Sequence, residues 1–357
     1  MTVLADYQPG LPPAVDPMAL ALNENPYPPL PAVRAAIMES MNAANRYPEF
    51  LPERLRRLIA GRIRVPETQV VLGAGATGVA LQVLHAITDP GDRIVMPDPV
   101  FEGYPIVSSM NRLETVKIPL TRTGHHDLPA MAAAASDARV VVICRPHNPT
   151  GTVESPSAIE AFLTRLSTRT VVLLDEAYVE FVGSEYRMDS PSLVDRFPNL
   201  VVLRTFSKAY GLAGLRIGYG FGSPELASAL WAMQLPFGMS STSLVAVAAS
   251  YRAESQLQHR IRTITAERKY LRSRLQAMGI HSTDSHANFV YLPPTGDSWQ
   301  RVFGESGVRV KYCSDGGVRL TVGERSSTEA VLAALRGQAS AQRLRTGHAR
   351  RLVGPTG

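Results

Sequence analysis

Residues 139–151 read RVVVICRPHNPTG, residues 170–178 read TVVLLDEAY, and residues 200–208 read LVVLRTFSK. Each is a run of aliphatic residues that breaks off into a polar cluster. A short, continuous apolar run bounded by turn formers is the pattern of a strand covered on both faces, hence of a mostly parallel sheet between helices. In open α/β sheets, polar residues just beyond the carboxyl ends of the strands are the usual ligand contacts. The three clusters, with Asn148, Asp175 and Lys208 about 30 residues apart, therefore point to one shared site.

Further strands are predicted at Gln69–Leu72, Arg93–Met96 and Arg216–Phe221. Pro31–Asn42 and Pro52–Arg64 each begin with proline and carry one apolar stripe, which reads as two helices. Residues 1–30 are Pro-rich and lack sustained periodicity, as expected of an irregular N-terminal arm of the kind that packs on a partner subunit. Residues 31–255 make up the predicted large domain. A long, charged amphipathic helix near Leu257–Met278 then leads into a smaller α+β domain, the two together spanning 256–337. There is no internal repeat.

With 45% hydrophobic and 19% charged residues over 357 positions, the chain is globular and not a disordered polyelectrolyte. Its net charge of +6 is concentrated at the end, where five arginines (Arg336, Arg343, Arg345, Arg350 and Arg351) follow the last acid, Glu329, and residues 1–329 are left near +1. The segment 338–357 has neither interleaved aromatics nor a recognition motif, so a solvated basic tail is expected, with no nucleic-acid partner. Cys144 and Cys313 show no metal-ligand or disulfide spacing, and no metal is expected. The opening MTVLADYQPG lacks a leader pattern, and no apolar run reaches the ~18 residues that span a bilayer. A soluble, cytoplasmic protein without a membrane partner is the expectation.

One more stretch carries chemistry. Gly73-Ala-Gly-Ala-Thr-Gly78 precedes the helical ALQVLH at 80–85, so the backbone N–H groups of Gly75, Ala76 and Thr77 make a ready cradle for phosphate. A glycine pattern of this sort is weak evidence alone.

Taken with RTFSKAYGLAGLRIGYG (204–220), HNPTG (147–151), DEAYVEF (175–181), LNENPYPP (22–29) and VRLTVG (318–323), the chain over about 20–335 resembles the histidinol-phosphate aminotransferase branch of the fold-type I pyridoxal-5′-phosphate (PLP) enzymes. The resemblance implies an α/β fold with a mostly parallel seven-stranded sheet flanked by helices, a smaller α+β domain, PLP as cofactor, and a homodimer. It gives Lys208 two tasks, holding PLP as a Schiff base and shuttling the proton from the substrate α-carbon. Asp175 would keep the pyridine nitrogen protonated, and Asn148 and Tyr178 would bond the ring's phenolic oxygen. Phe101, in PDPVFEGYP (97–105), occupies the place of the stacking aromatic. Thr205, Ser207 and Arg216 would join Gly75, Ala76 and Thr77 around the phosphate, and Tyr47 would reach the phosphate of the neighbouring subunit. Arg319 would receive the substrate α-carboxylate as a planar fork, with the arm closing over it at Asn23.

Two departures bear on substrate. Ala76-Thr77-Gly78 stands where this branch usually has an acidic pair. In GVRVKYCSDGGVRLTVG (307–323), shorter than usual, Lys311 beside Tyr312 stands in for a phosphate-binding arginine, and lysine holds phosphate only as a point charge. This short stretch and Phe101-Glu-Gly-Tyr-Pro105 look more like the actinobacterial phenylalanine (aromatic) aminotransferases. The expected reaction is therefore ping-pong transamination of a phenylalanine-type amino acid with 2-oxoglutarate. Histidinol-phosphate transamination is the alternative, and a PLP-fold lyase or a noncatalytic binding protein represents the other classes. Arg319 and the complete Asn148/DEAY set favour transamination.

Overall fold

The structure, a computed structural model, describes residues 13–296 and 298–337. The expected basic tail and the first twelve residues of the arm lie outside the described residues. Strands β1 (Val70–Ala74), β2 (Arg93–Asp98), β3 (Glu114–Pro119), β4 (Val140–Cys144), β5 (Val171–Asp175), β6 (Leu200–Thr205) and β7 (Ile217–Gly222) form one sheet in the order β1-β7-β6-β5-β4-β2-β3. Only β7 runs against its neighbours, pairing antiparallel with β1 and β6. The other pairings, β2 with β3 and β4, β4 with β5, and β5 with β6, are parallel.

The apolar runs behave as their composition requires. In β4, Val140 and Val142 face one hydrophobic cluster while Val141 and Ile143 face the other; in β5, Val171 and Leu173 are likewise opposed to Val172 and Leu174. Side chains alternate across a strand, so a strand apolar at every position needs cover on both sides. Helices supply it: α1 (Pro31–Ser40), α2 (Glu53–Ile63), α3 (Gly75–Ile87), α4 (Gly103–Met110), α5 (Leu128–Ala134), α6 (Pro156–Arg165), α7 (Ser190–Arg196), α8 (Pro224–Trp231) and α9 (Ser241–Arg252). Strand β3 was not foreseen individually. Its sequence, ETVKIP, alternates exposed with half-buried positions at the sheet edge, so it lacks the continuous apolar run of the central strands.

The 24-residue helix α10 (Glu254–Ala277) leaves the large domain and leads to a second sheet. There β8 (Phe289–Leu292), β9 (Lys311–Tyr312) and β10 (Val318–Thr321) lie in the order β8-β10-β9, all antiparallel, with α11 (Trp299–Phe303) and a closing helix at 325–337. The arm is irregular, as expected, yet it is tied to this smaller layer. The Leu20 N–H donates to Arg309 O (2.8 Å), the Thr321 N–H donates to Leu20 O (2.9 Å), and the Arg309 N–H donates to Met18 O (2.9 Å). One edge of the small domain is thus supplied from the other end of the sequence.

Candidate active site

The carboxyl ends of β1, β2, β4, β5 and β6 open into one cavity of about 670 Å³, roofed by residues 22–24, the start of α4 and the β9–β10 hairpin. Asp175, the last residue of β5, is buried on its floor. Its Oδ1 accepts from the Ala177 N–H (3.0 Å) and its Oδ2 from the Tyr104 hydroxyl (2.8 Å). Burial pushes the carboxyl above the ordinary aspartate value, opposed by those two donors and by the Lys208 charge.

Lys208 follows β6 through the turn Phe206-Ser207, where the Ser207 N–H donates to Thr205 Oγ1 (3.1 Å). Its Nζ donates to Leu22 O (2.9 Å) and lies 5.9 Å from the centre of the Tyr178 ring. Burial, then the Arg319 and Arg216 charges, lower its ammonium to about 8, only partly opposed by Glu24 and Asp175. An amine so placed is a nucleophile and a proton carrier near neutral pH.

The Tyr178 hydroxyl accepts from Asn23 Nδ2 (2.9 Å) and Asn148 Nδ2 (3.2 Å), and burial raises its pKa. Arg319 Nη1 donates to Asn148 Oδ1 (2.5 Å) and Nη2 to Ala21 O (2.5 Å), while its buried Nε has no partner among the described residues. Burial lowers the Arg319 pKa. Asn23, at φ 54°, is clamped between domains: its N–H donates to Thr321 Oγ1 (2.9 Å), and its carbonyl accepts from Asn288 Nδ2 (3.0 Å). Asn, Tyr, Arg and the arm are therefore one hydrogen-bonded chain spanning both domains.

At the opposite end, α3 starts at Gly75. Arg216, in the left-handed region at φ 52°, accepts the Gly75 N–H on its carbonyl (3.2 Å) and donates from Nη2 to Ala74 O (3.3 Å). Gly75 is itself at φ 76°, and a Cβ there would stand 2.5 Å from Arg216 Nη2. A Cβ on Gly218 of β7 would meet the Gly75 carbonyl carbon at 2.2 Å. Close backbone approach thus sets a guanidinium beside the first amides of a 13-residue helix, which is the donor set a phosphate dianion requires. With Ser207 and Thr205 also lining the cavity, Lys208 within it and a buried carboxylate on its floor, the residues present fit PLP from end to end.

Of the expected site residues, Asn23, Ala76, Thr77, Phe101, Asn148, Asp175, Tyr178, Thr205, Ser207, Lys208, Arg216, Lys311 and Arg319 line this cavity, and Gly75 sits behind its phosphate end. Phe101 is at the mouth, 37% exposed, with its ring centre 6.1 Å from that of Tyr104 and edge-on to it. Tyr47 lies away from the cavity, 83% exposed, its ring 4.8 Å from that of Phe237. Tyr104 and Glu102, which also line the cavity, were not among the expected site residues. Tyr104 stood in the quoted FEGYP, three residues past Phe101, but nothing in the sequence links it to Asp175. Glu102, beside it, pairs with Lys311 across the cavity mouth (2.5 Å), a contact between segments some 200 residues apart.

A half-buried amine, a buried carboxylate, a helix N-terminus beside a guanidinium and a second, buried arginine around one cavity on such a sheet are the groups a PLP-dependent enzyme needs. The chain matches aminotransferase class I and II over residues 15–335, and it belongs to that family. It is 40% identical over 333 residues to the aromatic amino acid aminotransferase of Cutibacterium acnes, covering 92% of this chain and 94% of that one. The aromatic amino acid aminotransferase of Streptomyces coelicolor is also 40% identical, with coverage of 91% and 92%. Among solved structures, the histidinol-phosphate aminotransferase of Sinorhizobium meliloti in complex with PLP superposes with a TM-score of 0.82 at 26% identity, covering 89% of each chain. The protein is thus a PLP-dependent aminotransferase of the fold-type I architecture. Among the described residues, no helix is long and apolar enough to cross a membrane.

Proposed function

We propose that the chain transfers the amino group of a phenylalanine-type amino acid to 2-oxoglutarate in a two-stage, ping-pong cycle. One observation carries this reading. Beyond Arg319, the substrate end of the cavity is lined by Leu22, Val100, Phe101 and Ile106, and its second cation, Lys311, is already paired with Glu102. A neutral, apolar side chain fits such a surface, and a phosphate would have to compete for the lysine. The names of the relatives from Cutibacterium acnes and Streptomyces coelicolor support the same substrate class.

When bound, PLP supplies a carbonyl that condenses with amines and a ring that takes up electrons from the substrate α-carbon. Lys208 Nζ holds the cofactor between turnovers and, once displaced by the substrate amine, moves the proton at the α-carbon. Asp175 keeps a proton on the pyridine nitrogen. The Tyr178 hydroxyl and the Asn148 amide serve the phenolic oxygen, and Arg319 with Asn23 orients the substrate carboxylate so that the α-hydrogen faces Lys208. The first amides of α3, with Thr205, Ser207 and Arg216, hold the phosphate. Tyr104 is the better placed of the two aromatics to flank the ring, being buried against Asp175 while Phe101 stays at the mouth.

The functional unit in this reading is a homodimer, with Tyr47 reaching the partner's cofactor. In support, Tyr47, Phe50, Met38, Met41, Leu235 and Phe237 are all exposed, and Tyr47 and Phe50 both pack against Phe237. Free Cys144 and Cys313 suit a reducing, cytoplasmic setting.

Lys311 at the mouth is what favours the second reading, histidinol-phosphate transamination. Comparing kcat/KM for phenylalanine, tyrosine, histidine and histidinol phosphate as donors to 2-oxoglutarate decides between them. Phenylalanine or tyrosine is expected to lead; a dominant preference for histidinol phosphate overturns the aromatic assignment and leaves the cofactor chemistry standing.

A further inference from the structure

Lys311 and Arg319 are paired residues on adjacent antiparallel strands, β9 and β10, and both line the cavity. Residues directly opposite in such a ladder project to the same face, with Cβ atoms about 5 Å apart. The small domain therefore presents two cations side by side. They are not equivalent. Arg319 is 7% exposed and held by Asn148 and the Ala21 carbonyl, whereas Lys311 pairs, among the described residues, with one carboxylate, Glu102, which the large domain contributes from the residue before α4. Glu102 itself caps no helix amide, and its side chain is 66% exposed.

We propose that Glu102 is a specificity-determining residue, a built-in carboxylate that occupies Lys311 while an apolar side chain is bound and yields it to the second carboxylate of a dicarboxylic substrate. This inference rests on the reading above, in which one cavity must serve an aromatic amino acid and a dicarboxylic 2-oxo acid in turn. Both substrates place one carboxylate on Arg319. They differ in what they bring to the neighbouring position, a neutral ring or a second anion. A bare Lys311 would confront the ring with an unpaired cation, and desolvating such a charge is costly. With Glu102 in place the pair is neutral and sits over the ring as a closed bridge between domains.

The exposure of the pair makes the exchange feasible. Ion pairs this open to water contribute about a fivefold factor at most, so an incoming carboxylate displaces Glu102 at small cost. Once freed, Glu102 swings into solvent, which its exposure already permits. A buried, bidentate pair in the same place would lock the lysine and exclude dicarboxylates. Glu102 has no contact with the reacting atoms, so it acts on selectivity and not on the proton transfer.

The test uses the holoenzyme and two unreactive acids, glutarate and 3-phenylpropionate, with dissociation constants measured by calorimetry. Glu102→Gln is expected to tighten glutarate about three- to fivefold and to weaken 3-phenylpropionate about two- to fivefold, as it leaves Lys311 unpaired beside the ring. Lys311→Met is expected to weaken glutarate about tenfold, and in the double variant the gain from Glu102→Gln should vanish. Single-turnover kcat/KM for glutamate relative to phenylalanine should follow the same order. Equal changes for both acids, no change in Glu102→Gln, or a gain that survives Lys311→Met overturns the proposal. Failure of the aromatic reading shows separately, as a wild-type preference for another donor, and the glutarate cycle still decides the role of Glu102.

Discussion

The two ends of the cavity are built differently. The cofactor end is built within this chain on a single sheet, from residues that terminate neighbouring strands, with Asp175 and Thr205 in adjoining β5 and β6 and Arg216 leading into β7. The substrate end is assembled from the arm, the start of α4 and the small domain, joined by side-chain bonds such as Asn23 to Thr321 and Lys311 to Glu102. Where the backbone ladder positions the groups, geometry is fixed by the fold. Where side chains span a domain boundary, geometry and selectivity can change without disturbing the cofactor.

Substitutions at the two ends should therefore fail in different ways. The largest effect is expected at the cofactor end: Lys208→Ala should lower turnover at least about 10⁴-fold while the other contacts still hold PLP, checked by single-turnover rates and by cofactor retained after gel filtration. At the substrate end, Arg319→Lys keeps the charge but loses the fork. It should cut kcat/KM about 100-fold, mainly through KM, with cofactor content unchanged. An equal loss of cofactor would break the distinction between the ends.

A smaller effect separates the two aromatics. Tyr104→Leu should weaken cofactor binding about tenfold, as an aromatic contact and a hydrogen bond to a carboxylate are lost together. Phe101→Leu should change it about twofold and show up instead in the KM for phenylalanine. Titrating the apoprotein with PLP measures both; the reverse order would return the stacking role to Phe101.

The smallest effect links the two ends through charge. The neutral amine is the form that condenses with PLP, and Lys208 is lowered to about 8, so cofactor incorporation should rise with pH through about 8 and level off above it. An ordinary lysine would still be rising at about pH 10. Because the Arg319 charge is the second cause of that lowering, Arg319→Met should move the midpoint to higher pH, as followed by incorporation rates in stopped flow. An unmoved midpoint would mean that burial and the remaining charges set the amine without Arg319.

The same contrast explains what could be read from the chain directly. Strands such as β4 and β5 were visible because both faces are covered, which writes an unbroken aliphatic run, and the site residues follow those runs immediately. Strand β3 was hidden because an edge position needs only a half-apolar sequence. Asn148, Asp175, Lys208, Arg216 and Arg319 were legible through their joint order. Tyr104 and Glu102 were not, since their partners Asp175 and Lys311 are set by tertiary packing and leave no spacing rule in the chain. The ties of the arm to Arg309 and Thr321 were equally invisible, as irregular segments have no periodicity to interpret.

Those ties of the arm also bear on how the protein is made. Every strand of the cofactor end lies before residue 223, whereas Leu20, synthesised early, finds its long-range backbone partners at Arg309 and Thr321. Domains tend to form as their residues leave the ribosome. The arm can then meet Tyr178 and Lys208 as soon as the large sheet forms, but its ties to the second sheet wait until residues 309–321 are made, so the entrance to the cavity is completed after its floor.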